Sequence, residues 1–143
     1  MTTTKSSSGI FDCRPILRVD NVDDSIAYYC DVLGFRIGWR WSDEAQRFLE
    51  TDETLPAHTA LVGEGSAQLI LVQCAMGQRG MWLHLDVETA EQVDRLHAQW
   101  SQRGARIIEA PSNRPWGMYE LRVEDLDQHT FRVAAPARQT GAK

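Results

Sequence analysis

Hydrophobic and polar positions alternate between two periods along this chain, and the alternation runs through the same order twice. Residues 15–19 (Pro-Ile-Leu-Arg-Val) form a short apolar run suited to a strand. A helix follows: Asn21 stands where a cap is needed, Asp23 and Asp24 fall in the first turn, and Val22, Ile26, Tyr29 and Leu33 recur at helical spacing. Gly34 sits where the helix must stop. Residues 35–41 then switch to the two-residue period of a half-buried strand. A polar, acidic connection covers 42–57, long enough to suggest a functional loop. Strands are predicted near 59–64 and 67–73, joined by a Glu-Gly-Ser turn.

The second half repeats this order. In 81–87, Leu83, Leu85 and Val87 share one face, and Trp82, His84 and Asp86 share the other. Thr89 and Gln92 fit a capping box, Val93, Leu96 and Trp100 make the buried stripe of a helix, and Gly104 ends it. Further strands are predicted near 105–109, 117–124 and 129–134. The period is 67 residues, from Ile16 to Leu83. The expected organisation is therefore a lead-in over 1–10 without fixed structure, a βαβββ module over 11–74, a linker over 75–80, a second βαβββ module over 81–135, and a loose tail over 136–143. The class is α+β, with helices on one face of curved sheets and the other face left to line a cavity.

Composition narrows the function. With 43% hydrophobic and 24% charged residues the chain has the profile of an ordinary soluble protein. A net charge of -5 and a pI near 5.3, without any Lys/Arg run, argue against nucleic acid as a partner. No apolar run approaches the roughly 18 residues that span a bilayer. Three cysteines, Cys13, Cys30 and Cys74, with no CxxC pair, fit a reducing cytoplasm and suggest small buried apolar side chains. There is no Gly-x-Ser-x-Gly, no HExxH and no Gly-rich phosphate loop.

The stretch PILRVDNVDDSIAYYCDVLGF (15–35) resembles the first-module signature of the glyoxalase/bleomycin-resistance (vicinal oxygen chelate) superfamily. PWGMYELRVEDLDQHTFRV (115–133) is similar to the family's last hairpin, although its turn reads Asp-Leu-Asp-Gln and lacks the usual Pro and Gly. The resemblance implies a homodimer whose cavities are shared between modules of two chains. In the family's metalloenzymes four cavity-facing His or Glu side chains hold one divalent ion. The resemblance places those positions on Arg14, Ile70, Trp82 (Met81 if the register slips by one) and Arg132. None of these ligates a hard divalent cation. Neither a metal nor another cofactor is therefore expected.

Strand periodicity predicts the cavity lining: Arg14, Ile16 and Arg18; Gln68, Ile70 and Val72; Trp82 and His84; Thr130, Arg132 and Ala134. Arg14, Arg18 and Arg132 can fork onto a carboxylate or phosphate, while Trp82, Trp39, Trp41 and Trp116 offer flat apolar faces. Trp39 and Trp41 equally suit a core or a dimer contact. His84 and Glu120 complete the candidate ligand-binding set, and no catalytic residue is assigned. The expected function is metal-independent binding of an aromatic or anionic small molecule, antibiotic-like in type. The alternatives are a metal-dependent lyase or isomerase of the glyoxalase I type with an atypical ligand set, in which His84 and Glu120 take part, and an interaction module with a vestigial cavity.

Overall fold

The structure is a computed structural model that describes residues 8–138. The greater part of the expected lead-in (1–7) and of the expected tail (139–143) lies outside the described residues.

The first half contains β1 (Ile16–Val19), α1 (Val22–Ala27), a π-helical turn (Tyr28–Val32), β2 (Arg36–Ser42), β3 (Arg47–Phe48), β4 (Thr59–Glu64) and β5 (Ala67–Gln73). The second contains β6 (Trp82–Asp86), α2 (Ala90–Gln102), β7 (Arg106–Asn113), β8 (Met118–Glu124) and β9 (Thr130–Pro136). Sheet 1 has the order β1-β5-β4-β2-β3 and sheet 2 the order β6-β9-β8-β7. In each, the first strand lies parallel to the last and the remaining pairs are antiparallel. The two halves thus share one βαβββ topology, with β3 as an addition to the first.

Both helices start as their sequences dictate. The Asn21 side chain accepts from the Asp24 N–H, and Thr89 and Gln92 form a reciprocal capping box. The continuous α-helix expected up to Leu33 is not formed. The Leu33 N–H reaches back to the Tyr28 carbonyl, which widens the last turn. Tyr28 and Tyr29 are consequently both buried. The Tyr28 hydroxyl donates to the Glu124 carbonyl (2.6 Å) and the Tyr29 hydroxyl to the Asp125 carboxylate (2.6 Å), tying the first half to the β8–β9 turn.

That turn is the Asp-Leu-Asp-Gln stretch. Gln128 takes a positive φ of 67°, where a glycine would be free of strain. Asp125 compensates by accepting from the Asp127 and His129 N–H groups. His129 is fully buried; Nδ1 accepts from the Met81 N–H and Nε2–H donates to the Arg18 carbonyl. Because a backbone N–H can only donate, the ring carries its proton on Nε2.

The faces of both sheets that carry Leu17, Val19, Leu69, Leu71, Leu121, Val123, Phe131 and Val133 join a single buried cluster with α1 and with Val93 and Trp100 of α2. Trp100, expected in the core, is there, and its Nε1–H donates to the Leu33 carbonyl. The opposite face of each sheet points away from this core. The cysteines depart from expectation. Cys13 and Cys74 are exposed and only Cys30 is partly covered, because the first two lie outside the strands whose alternation would turn them inward.

Candidate functional site

The outward face of sheet 1 is largely apolar. Ile16, Leu61, Ile70 and Val72 lie on it, with Arg18, Thr59 and Gln68 as polar members. At its far edge Trp39 and Trp41, two apart on β2, hold Phe48 of β3 between them at centroid distances of 5.5 and 5.0 Å. The connection expected over 42–57 is ordered by charge. Arg40 donates to the Glu50 carbonyl, and Arg47 makes two hydrogen bonds of 2.7 Å to Glu53. The hydrogen bonds from Arg47 and then from the Glu50 N–H lower the Glu53 carboxyl to about 2.

The outward face of sheet 2 is ionic. Strand register sets His84, Arg132, Arg122 and Glu109 in one row across β6, β9, β8 and β7, and Asp86, Ala134, Glu120 and Ser112 in the next. Glu120 is fully buried. Its carboxylate accepts from Arg132 Nε and Nη2 (3.3 and 3.2 Å) and Arg122 Nε (3.0 Å), with Arg114 Nε at 3.9 Å. Burial pushes the Glu120 carboxyl up, but the hydrogen bonds from Arg132 and then Arg122 outweigh it and leave the group below its ordinary value. Glu109 accepts from Arg114 at 2.6 Å and lies 3.5 Å from Arg122. Two indoles bound the cluster. The Arg122 guanidinium lies 5.5 Å from the Trp82 ring and that of Arg132 lies 5.7 Å from the Trp116 ring.

The structure therefore brings together Trp82, His84, Trp116, Glu120 and Arg132 on sheet 2, and Arg18, Trp39, Trp41 and Ile70 on sheet 1. Arg14 precedes β1, is exposed, and stands 3.5 Å from Asp12. Arg132 thus gathers with Arg122 and Arg114, and not with Arg14 and Arg18. Arg114, Arg122 and Glu109 escape a reading of the chain alone. The available signal was the Glu120–Arg122 spacing, which sets both on one strand face opposite Leu121 and Val123.

The donors a divalent ion requires do not assemble at the family positions. Arg14, Ile70, Trp82 and Arg132 provide none, and the register sets His84, not Trp82, opposite Arg132. His84 is bonded to Asp86 at 2.8 Å, and Glu120 is surrounded by guanidiniums. Among the described residues no group of three or more His, Cys, Asp or Glu side chains is placed to hold a metal ion.

A cavity of about 570 Å³ lies between the β4–β5 turn, β6 and α2, floored by Leu33, Phe35, Trp100 and Val133, with His84 and Asp86 of the outward rows at its β6 wall. Its floor belongs to the shared core and it includes no residue of the arginine cluster. No helix among the described residues is long and apolar enough to cross a membrane.

No curated protein matches the sequence. Solved structures share the fold at low identity. A hypothetical protein, SA1046 from S. aureus, is 24% identical with a TM-score of 0.63 over 88% of this chain and 97% of that one. TnmS3, an antibiotic binding protein from Streptomyces sp. CB03234, is 19% identical with a TM-score of 0.67 over 90% and 98%. The bleomycin-binding protein from bleomycin-producing Streptomyces verticillus, complexed with copper(II)-bleomycin, is 18% identical with a TM-score of 0.62 over 90% and 98%. A family model matches residues 12–133, and the chain belongs to the Glyoxalase/Bleomycin resistance protein/Dioxygenase superfamily.

Proposed function

We propose that this chain is a metal-independent binding protein that captures an aromatic or anionic small molecule of antibiotic type, and that it works as a homodimer in the cytoplasm. One observation carries the proposal. On the outward face of sheet 2, where the family's metalloenzymes present ligands, indoles and guanidiniums surround the one fully buried carboxylate, Glu120, which is already engaged by Arg132 and Arg122, while Glu109 is paired with Arg114 and His84 with Asp86. Such a lining repels a divalent cation and offers stacking surfaces and charged donors to an organic molecule. The structural neighbours that bind an antibiotic and bleomycin support the same class of activity on this fold. The shared core supports the dimer. It turns both outward faces away from the interior, leaving Trp82 and Trp116 59% and 54% exposed, and a second copy is the natural means of closing a pocket over them. The free thiols are compatible with a reducing compartment.

Native mass spectrometry of protein purified without chelator tests the proposal. The expected species is a two-chain assembly, free of stoichiometric metal, that takes up organic ligands. Stoichiometric Ni, Zn, Mn or Fe, lost in His84→Ala, would overturn it in favour of a lyase or isomerase of the glyoxalase type.

A further inference from the structure

We infer that the ligand this face selects is a flat aromatic ring bearing one anionic group, and that the anion sits on the cross-strand pair Arg122 and Arg132. The inference rests on the proposed binding function and specifies the chemistry that the same site reads.

It starts from an unfavourable arrangement. Arg122 and Arg132 are direct partners in the antiparallel β8–β9 ladder, and both project from the outward face. Like charges directly opposite each other destabilise a sheet. A sequence selected for stability alone would set an opposite or neutral residue at one of the two positions. Here a third guanidinium, Arg114, joins them, and the carboxylates among them are Glu109 and Glu120. Within this cluster the guanidiniums outnumber the carboxylates by one. The same face also carries Asp86, bonded to His84 and separated from Glu120 by the small side chain of Ala134, and Glu124, the cross-strand partner of Arg106.

The donors tell the same story. Glu120 takes Nε and Nη2 of Arg132 and Nε of Arg122. Among the described residues, Nη1 of Arg132 and Nη2 of Arg122 have no protein acceptor, and the buried Arg114 Nε has no hydrogen-bond partner. Each guanidinium carries five N–H donors in a fixed plane, so unfilled donors from two adjacent arginines form a seat for one carboxylate or sulfonate.

The planes are fixed before any ligand arrives. Glu120 holds one side of each guanidinium, and the Trp82 and Trp116 rings hold Arg122 and Arg132 from the sides. Preorganised donors lose little freedom on binding. The same two indoles remain more than half exposed, so an aromatic ring attached to the anion can extend the stack. A cationic ring system, or a ligand that carries its own divalent metal, meets the excess positive charge instead.

Isothermal titration with three naphthalenes of matched shape separates the possibilities: 2-naphthoate, 2-naphthamide and 2-naphthylmethylammonium. The expected order is naphthoate first, about tenfold or more tighter than the amide, with the ammonium weakest. The naphthoate preference should shrink as salt rises. Arg122→Met and Arg132→Met should each abolish that preference. Arg122→Lys, which keeps a positive charge beside the buried Glu120 but removes the planar fork, should lose much of the preference with a smaller drop in melting temperature than Arg122→Met, a split that a purely structural arginine would not give. Arg36→Met, at an exposed arginine on sheet 1, should change neither quantity. Equal binding of the three probes would overturn the anion seat while leaving small-molecule capture intact, as would tighter binding of the ammonium. Failure of all three to bind, together with stoichiometric metal, would remove both proposals. Failure without metal would remove the anion seat.

Discussion

The two outward faces are built on the same strand order, yet one is apolar and the other ionic. On sheet 1 the outward positions of the β1–β5 pairing are Ile16 with Ile70 and Arg18 with Val72, one charge among three aliphatic side chains, and an aromatic edge of Trp39, Trp41 and Phe48 closes the side. On sheet 2 the corresponding parallel pair, β6 and β9, presents His84 opposite Arg132, and the next strand adds Arg122 and Glu120. Topology thus fixes the two outward faces, and a few outward side chains give each its chemistry. A pocket closed by face 1 of one copy over face 2 of another would be amphipathic. Its apolar wall would cover the ring of a ligand and its ionic wall would fix the charged end.

The contrast gives its largest expected effect at Glu120. Removing the charge with Glu120→Gln leaves three guanidiniums facing one another. Breaking a buried ion pair typically costs roughly 3–5 kcal/mol; since Arg132, Arg122 and Arg114 keep some solvent access, about 2–3 kcal/mol is expected. Urea unfolding should show this loss, and added salt should reduce it. On the other face Leu61→Ala should cost about 2 kcal/mol by leaving a gap where Leu61 packs over Gly38, and that loss should be indifferent to salt. Equal salt dependence of the two variants would erase the distinction between the faces.

Acid should separate the faces more gently. The Glu120 carboxyl lies below its ordinary value in the folded chain, so its ionisation contributes stability that is complete above the unfolded value of 4.5 and is lost as pH falls through the folded value. Glu53, lowered to about 2, behaves the same way over a wider window and keeps its pairing with Arg47 until pH approaches 2. Tryptophan fluorescence and amide exchange followed from pH 6 downward should therefore show the sheet 2 cluster loosening before the β3 loop. The reverse order would contradict the assignment. The smallest effect belongs to Trp116→Leu, which removes a cation–π contact worth about 0.5–1 kcal/mol at an exposed site and should weaken aromatic ligands more than it weakens the fold.

Much of the fold was legible because local chemistry determined it. Asn21, Thr89 with Gln92, and Gly34 mark helix ends by side-chain donors, acceptors and positive φ, none of which needs tertiary context. Alternation correctly put Leu83 and Leu85 against the core and Trp82 and His84 outward. The π-helical turn was not legible, because it arises from two tyrosines reaching partners about a hundred residues away. His129 is likewise an ordinary turn histidine until Met81 and Arg18 are brought to its two nitrogens. The candidate site was half legible. Arg132, Glu120 and the tryptophans stand out by type, but their grouping with Arg122, Arg114 and Glu109 follows from the register of β7, β8 and β9, and register is a property of pairing that no single strand carries.

A crystal structure grown with 2-naphthoate and a divalent transition metal both present tests the central claim most directly. The expected result is a naphthoate carboxylate on the Arg122–Arg132 pair, within the roughly 2.7–3.2 Å of a hydrogen bond, with no ion ligated by protein atoms on that face. A metal ion held by His84 and Glu120, with the arginines displaced into solvent, would contradict it.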